Sequence, residues 1–237
     1  MRAFKYRLWI ANKNYSSWSL RPWVLMKALG IPFEEMLVPF ADSAVQEDFK
    51  RFSPTGKVPT LGDGERRIWD SLAITEYLAE RHKGIWPEDP DARAWARSVA
   101  AEMHSGFQAL RGATPMNVSV RVEMNPPTEA LERDIARIDE IWTEGFRRFG
   151  GTYLCGDAFT AADAFFAPVC FRWQSYGFEL SDIALGYAHI ILTEPAMLEW
   201  EHEALLERWP DAAHEAETRA AGKVTKDLRE PAMAPRQ

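Results

Sequence analysis

Three serines crowd one short stretch, Asn14-Tyr15-Ser16-Ser17-Trp18-Ser19-Leu20-Arg21-Pro22-Trp23. It lies between a β-favouring run (residues 6–11) and a run with apolar residues at helical spacing (residues 20–29) that stops at Gly30. Hydroxyls at a strand-to-helix junction have two uses. They cap the free N–H groups of the first turn, or one of them holds a reacting atom. Ser19, next to Leu20 and Pro22, reads as the cap, with Pro22 in the first turn. Two more stretches carry chemistry-bearing residues. In Gly56-Lys57-Val58-Pro59-Thr60-Leu61, the proline follows either an edge-strand trans bond or a cis bond, the conformation that only proline adopts at low cost. In Trp69-Asp70-Ser71-Leu72-Ala73-Ile74-Thr75-Glu76-Tyr77-Leu78, Ser71 opens a helix. Its hydroxyl and the free N–H groups of the first turn suit an anion, while Asp70 or Ser71 also suits the N-cap.

The elements that must hold these residues divide into two grammars. Residues 4–84 alternate between strand and helix: strands at 6–11 and 35–38, a short helix at 44–52, extended pieces at 58–61 and 67–69 around a Gly62-Asp63-Gly64 turn, and a helix at 71–82. The order β-α-β-α-β-β-α predicts a parallel βαβ unit followed by a hairpin and a helix. Residues 85–91, with two prolines and three acids, form a linker. Beyond it the pattern is helical only, with helices at 92–110, 128–149, 161–176, 180–191 and 195–208. The third is the most apolar and therefore central. The charged end, residues 211–237, predicts a loosely ordered tail. Thr160 and Asp163 have capping-box spacing, which gives Asp163 backbone N–H groups to satisfy and no chemistry to do.

Composition narrows the function. The chain has 237 residues and a formal charge of −7, a poor match for nucleic acid or anionic membranes as main partners. No apolar run reaches the ~18 residues of a membrane helix, and the N-terminus lacks signal-peptide form, so a cytoplasmic protein is expected. The two cysteines, Cys155 and Cys170, have neither metal-ligand nor redox spacing, so no metal is expected.

The three motifs and the two-domain order resemble the cytosolic glutathione transferases over residues 4–210. The chain is most similar to serine-type members, nearest the zeta-like bacterial ones. The resemblance implies a thioredoxin-like N-terminal domain (1–84), a linker (85–91) and an all-helical domain bearing the electrophile site (92–210), assembled as a homodimer for detoxification. It implies that the Val58–Pro59 bond is cis and aims the Val58 backbone at the cysteinyl part of glutathione. Asp70 would take the γ-glutamyl ammonium, Ser71 the γ-glutamyl carboxylate, and Lys57 the glycyl carboxylate. Aligning back from Leu29-Gly30-Ile31 sets Ser16 at the position of the serine that faces the glutathione sulfur, with Ser17 one loop residue away. Trp18, His104, Phe107, Arg111 and Arg172 are the implied second-substrate residues.

The implied mechanism rests on acidity. A free thiol near pKa 8.5 is only about 3% thiolate at pH 7, and lowering it by roughly two units takes about 2.7 kcal/mol. A serine proton donated to sulfur, with the positive end of a helix, supplies that kind of stabilisation. Serine then serves the nucleophile and is not itself the nucleophile. The tyrosine-using members of the family carry the phenol closer to the end of the first strand, so the resemblance argues against that role for Tyr15. No cysteine stands in the loop, which argues against thiol–disulfide exchange. Two alternatives remain open: a glutathione-dependent isomerase of the maleylacetoacetate type, and a non-catalytic binding protein that kept the fold. Trp18 in place of a cysteine, and Leu20-Arg21-Pro22-Trp23, depart from the zeta pattern.

Overall fold

The computed structural model describes residues 5–41 and 46–229. Strands β1 (Tyr6–Ile10), β2 (Phe33–Leu37), β3 (Thr60–Asp63) and β4 (Arg66–Trp69) form one mixed sheet in the order β2-β1-β3-β4. β1 pairs parallel to β2 and antiparallel to β3, and β3 pairs antiparallel to β4. The parallel pair needs a crossover, which α1 (Ser17–Ala28) provides. β3 runs through Gly62 and Asp63, so the hairpin turns one residue later than expected, at Gly64, whose φ of 59° suits glycine. The Glu47–Arg51 segment is a 3-10 turn, and part of the helix expected at 44–52 lies outside the described residues. Helix α2 (Ser71–Ala79) closes this layer.

α3 (Pro90–Ser105) and α4 (Gln108–Ala113) replace the single helix expected at 92–110. The break falls at Phe107, a bulky residue held at φ 57°. α5 (Glu129–Phe149), α6 (Ala161–Tyr176), α7 (Asp182–Leu192) and α8 (Pro195–Leu206) follow. α6 is buried almost throughout and packs against α1, α3 and α7, as its apolar composition predicts. Asp163 lies fully inside, where it accepts hydrogen bonds from the Leu154 and Thr160 N–H groups and from the Tyr187 hydroxyl. Burial raises its pKa to about 6 against the pull of those donors.

Residues 211–229 are not the loosely ordered tail that their charge predicts. Asp211 caps α9 (Ala212–Ala221), and β6 (Gly222–Asp227) pairs antiparallel with β5 (Val120–Met124). The helix-only grammar beyond the linker therefore misses a two-stranded ribbon. Val120 and Val122 are its buried contribution; β6 itself is mostly exposed, so composition gives no burial signal there. Residues 230–237 lie outside the described residues.

Candidate active site

Two clefts meet at the start of α1. The first, about 450 Å³, is lined by Lys57, Val58, Pro59, Asp70, Ser71 and His104, among others. The second, about 400 Å³, is lined by Ser16, Ser17, Arg111, Arg172, His214 and Glu217, with an apolar side that includes Phe40, Phe49 and Met116. Trp18, Lys57 and Val58 line both, so the two spaces are contiguous around that trio.

The first cleft is built from a cis peptide and a helix start. The Val58–Pro59 bond is cis, as the resemblance implies. Asp70 stands at the N-cap of α2 with φ 73°, a conformation that costs a non-glycine residue of the order of 1 kcal/mol and is typical of ligand sites. Its Oδ1 accepts from the Leu72 N–H at 2.8 Å and the Ala73 N–H at 3.4 Å, while Oδ2 faces His104 Nε2 at 3.3 Å. One carboxylate oxygen thus caps the helix and the other is presented outward. The Ser71 hydroxyl is buried and has no hydrogen-bond partner among the described residues. An orphaned buried donor at a helix N-terminus, in the wall of a cleft, fits an anionic ligand group.

The serines of the loop have distinct duties. Ser16 holds the N-cap position of α1, yet its hydroxyl makes no capping bond and donates to Ser19 Oγ at 2.7 Å. Ser19 is not the cap: it lies inside the first turn and its Oγ also accepts from the Ala11 N–H at 3.3 Å. Pro22 falls in the second turn of the same helix. Ser17, half-buried, is an acceptor, taking a hydrogen bond from Arg172 Nη2 at 3.4 Å. Its hydroxyl lines the second cleft and donates no hydrogen bond among the described residues. The Tyr15 hydroxyl donates to Glu215 at 2.7 Å, and burial raises its pKa well above the usual phenol range, which removes it as a proton donor to a ligand. Burial also raises both cysteine thiols.

The implied second-substrate residues part company. Arg111 and Arg172 line the second cleft, and Trp18 stands between the two. His104 lines the first cleft instead, against Asp70 and edge-on to Trp18 at 5.4 Å. Phe107 lines neither; its side chain is in the core. His214 and Glu217 were out of reach of sequence reasoning because they sit on α9, inside the stretch whose composition predicts a tail. Phe40 comes from the connection after β2, and Phe49 is the buried residue of the Glu47–Arg51 turn, whose pattern predicts a short helix but not the cleft it faces.

Cations dominate the junction. Arg21 is buried, with its guanidinium 4.2 Å from the Trp18 ring centre and 5.0 Å from that of Phe165, and burial lowers its pKa to about 9. Arg111 donates to the Met103 and His104 carbonyls at the end of α3. Among the described residues no group of His, Cys, Asp and Glu is placed to hold a metal ion, and no helix is long and apolar enough to cross a membrane.

A fold of this kind, with a cis-proline turn and a serine loop facing an anion-ready helix start, defines a glutathione transferase architecture. Comparison with known proteins agrees. Residues 15–81 match the glutathione S-transferase N-terminal domain and residues 127–213 the C-terminal domain, together more than half of the chain. The chain belongs to the glutathione S-transferase family. Among curated relatives, a probable maleylacetoacetate isomerase of Caenorhabditis elegans is 28% identical over 185 residues, covering 74% of this chain and 81% of that protein. A Burkholderia glutathione transferase homolog solved with bound glutathione superposes with a TM-score of 0.65 at 22% identity, covering 85% of this chain and 99% of that one. A Methylobacterium extorquens maleylacetoacetate isomerase, solved with malonate and glutathione, gives a TM-score of 0.64 at 24% identity over 86% of this chain and 98% of that one.

Proposed function

We propose that this transferase binds glutathione across the first cleft and delivers its thiol, as thiolate, to a small electrophile in the second. The γ-glutamyl ammonium pairs with Asp70 Oδ2, and the γ-glutamyl carboxylate takes the Ser71 hydroxyl and the first N–H groups of α2. The cysteinyl backbone runs along Val58, and Lys57, which borders both clefts, reaches the glycyl carboxylate. The sulfur then lies at the junction, where Ser17 donates a hydrogen bond to the thiolate and the thiol proton leaves to solvent. The sequence alignment favours Ser16 for this role, but the Ser16 proton is held by Ser19. The observation that carries the reading is the continuity of the two clefts at Trp18, Lys57 and Val58, beside the Ser17 hydroxyl. The exposed Trp69 on edge strand β4 suits a homodimer, and two unpaired cysteines suit a reducing cytoplasm.

Asp70→Ala and Ser71→Ala test the binding half. Each is expected to weaken glutathione binding about tenfold or more by calorimetry, the loss of one charge-assisted or buried hydrogen bond. Unchanged affinity in both would remove the ligand from this cleft. Product analysis with maleylacetoacetate separates conjugation from isomerisation, which shares the thiolate and differs in releasing glutathione unchanged.

A further inference from the structure

Arg172 poses a question that a second-substrate role does not answer. It sits on α6 among buried phenylalanines and is itself only 5% exposed. A guanidinium taken this far from water needs partners. Among the described residues no carboxylate lies within ion-pair distance of it; its N–H groups go to backbone carbonyls and one hydroxyl. Nη1 donates to the Thr114 and Arg111 carbonyls, and Nη2 donates to Ser17 Oγ at 3.4 Å. The charge is braced by neutral groups in the wall of the second cleft, where Glu217 acts on it electrostatically from beyond ion-pair distance. Burial lowers its pKa only to about 10, so it stays a cation at neutral pH.

The bracing is rigid. One turn further along α6, the Ser175 hydroxyl donates to the Asn117 carbonyl and the Tyr176 hydroxyl to the Pro115 carbonyl. The 114–117 loop is in turn tied to the serine loop: Asn14 Nδ2 donates to Asn117 Oδ1, and the Val118 and Ser119 N–H groups donate to Asn14. α6 and the start of α1 are therefore registered through one hydrogen-bonded loop, and the guanidinium is held in place against Ser17.

We propose that Arg172 is the positioning residue of Ser17. Its N–H occupies a lone pair of Ser17 Oγ and turns the hydroxyl proton toward the glutathione sulfur, while its unpaired charge favours the thiolate. The chain of contacts is Arg172 N–H to Ser17 O–H to sulfur. The thiol proton leaves to solvent, no bond to Ser17 forms, and the thiolate becomes the close ion-pair partner that no carboxylate among the described residues supplies to Arg172. The inference rests on the placement of the glutathione thiol at Ser17.

The test is the thiol pKa of bound glutathione, read as thiolate ultraviolet absorbance against pH, in wild type, Arg172→Gln, Arg172→Lys, Ser17→Ala and the Ser17→Ala/Arg172→Gln double variant. Binding of S-methylglutathione, which has no thiol, serves as the control for the site. Arg172→Gln is expected to reduce the thiolate fraction at pH 7 about tenfold, with S-methylglutathione affinity within about twofold of wild type. Arg172→Lys keeps the charge but loses the fork, and should fall between the two; it carries the test if the glutamine variant does not fold. In the Ser17→Ala background the Arg172 change should add less than half of its own shift. An unchanged thiol pKa in Arg172→Gln and Arg172→Lys, or full additivity in the double variant, overturns the inference while leaving the glutathione site standing. Failure of wild type to bind either ligand overturns the glutathione site and this inference with it.

Discussion

Asp70 and His104 face each other at 3.3 Å across the domain boundary, and the protonation of one decides what the other can do. Burial lowers the His104 pKa; Asp70 opposes that shift, while Arg21 and Arg111 reinforce it. The folded protein therefore takes up the His104 proton later than the unfolded chain does as pH falls. Stability tied to the neutral ring is complete above the unfolded pKa of about 6.5 and is lost as pH drops through that value toward the lower folded pKa. The protonated ring also becomes a rival of the γ-glutamyl ammonium for Asp70. Affinity for S-methylglutathione, which has no thiol to ionise, is accordingly expected to hold steady from pH 8 to 7 and to decline as pH falls below the ordinary imidazole value of about 6.5, and His104→Gln should flatten both this decline and the fall in thermal midpoint. Equal pH profiles for the two proteins would contradict it. At this scale the sequence was informative where a residue type is demanding. The cis Val58–Pro59 bond was readable because proline alone adopts it at low cost and the family pattern tips the choice, and Asp70-Ser71 were picked out by their match to a family motif. The choice between Ser16 and Ser17 was not readable, because it depends on which hydroxyl Ser19 engages and on Arg172, a residue 155 positions from Ser17.

Elements were legible in proportion to their periodicity. α5, with the Ile138, Ile141 and Trp142 face buried, and α6, buried on nearly every side, stand where their patterns predict. The break between α3 and α4 was not legible: Phe107 looks like one more apolar helix residue, and only tertiary packing holds it at positive φ. α9 and β6 were missed for the opposite reason, since an exposed strand and a charged helix have little apolar signal to offer. Gly145 shows how closely α5 is fitted. A Cβ there would come within 2.8 Å of the Leu154 carbonyl and 2.9 Å of the Trp95 ring. Glycine-to-alanine changes inside helices usually stabilise by about 0.5–1 kcal/mol. Gly145→Ala is expected to do the reverse, destabilising by about 1–3 kcal/mol because backbone and indole must both shift. A urea-denaturation midpoint equal to or above that of wild type would contradict the close fit.

Across the whole molecule, the helical domain grips the serine loop as well as walling the clefts. Lys13, almost fully buried, sets its ammonium over the packed Trp23 and Trp200 rings and pairs with Glu35 and Glu203. The Trp200 indole N–H donates to the Lys13 carbonyl at 2.8 Å, and Glu207 accepts from the Lys13 and Asn14 N–H groups. α8 thus holds the backbone three residues before Ser16 and couples the two domains where the thiol is to be activated. Trp200→Phe keeps most of the apolar contact and removes one donor, leaving a buried carbonyl unpaired at a cost of about 1–3 kcal/mol. The expected kinetic result is a lower kcat with little change in KM for glutathione, since the first cleft is untouched. A fall in glutathione affinity alone would place the effect elsewhere.

The central claim is that the Ser17 hydroxyl stabilises the thiolate of bound glutathione. Calorimetric titration with glutathione at pH 7, in two buffers of different ionisation enthalpy, reads the proton released on binding. Wild type and Ser16→Ala are expected to release close to one proton, while Ser17→Ala binds glutathione and releases markedly less. Proton release that survives in Ser17→Ala and disappears in Ser16→Ala would contradict the claim and return the role to Ser16.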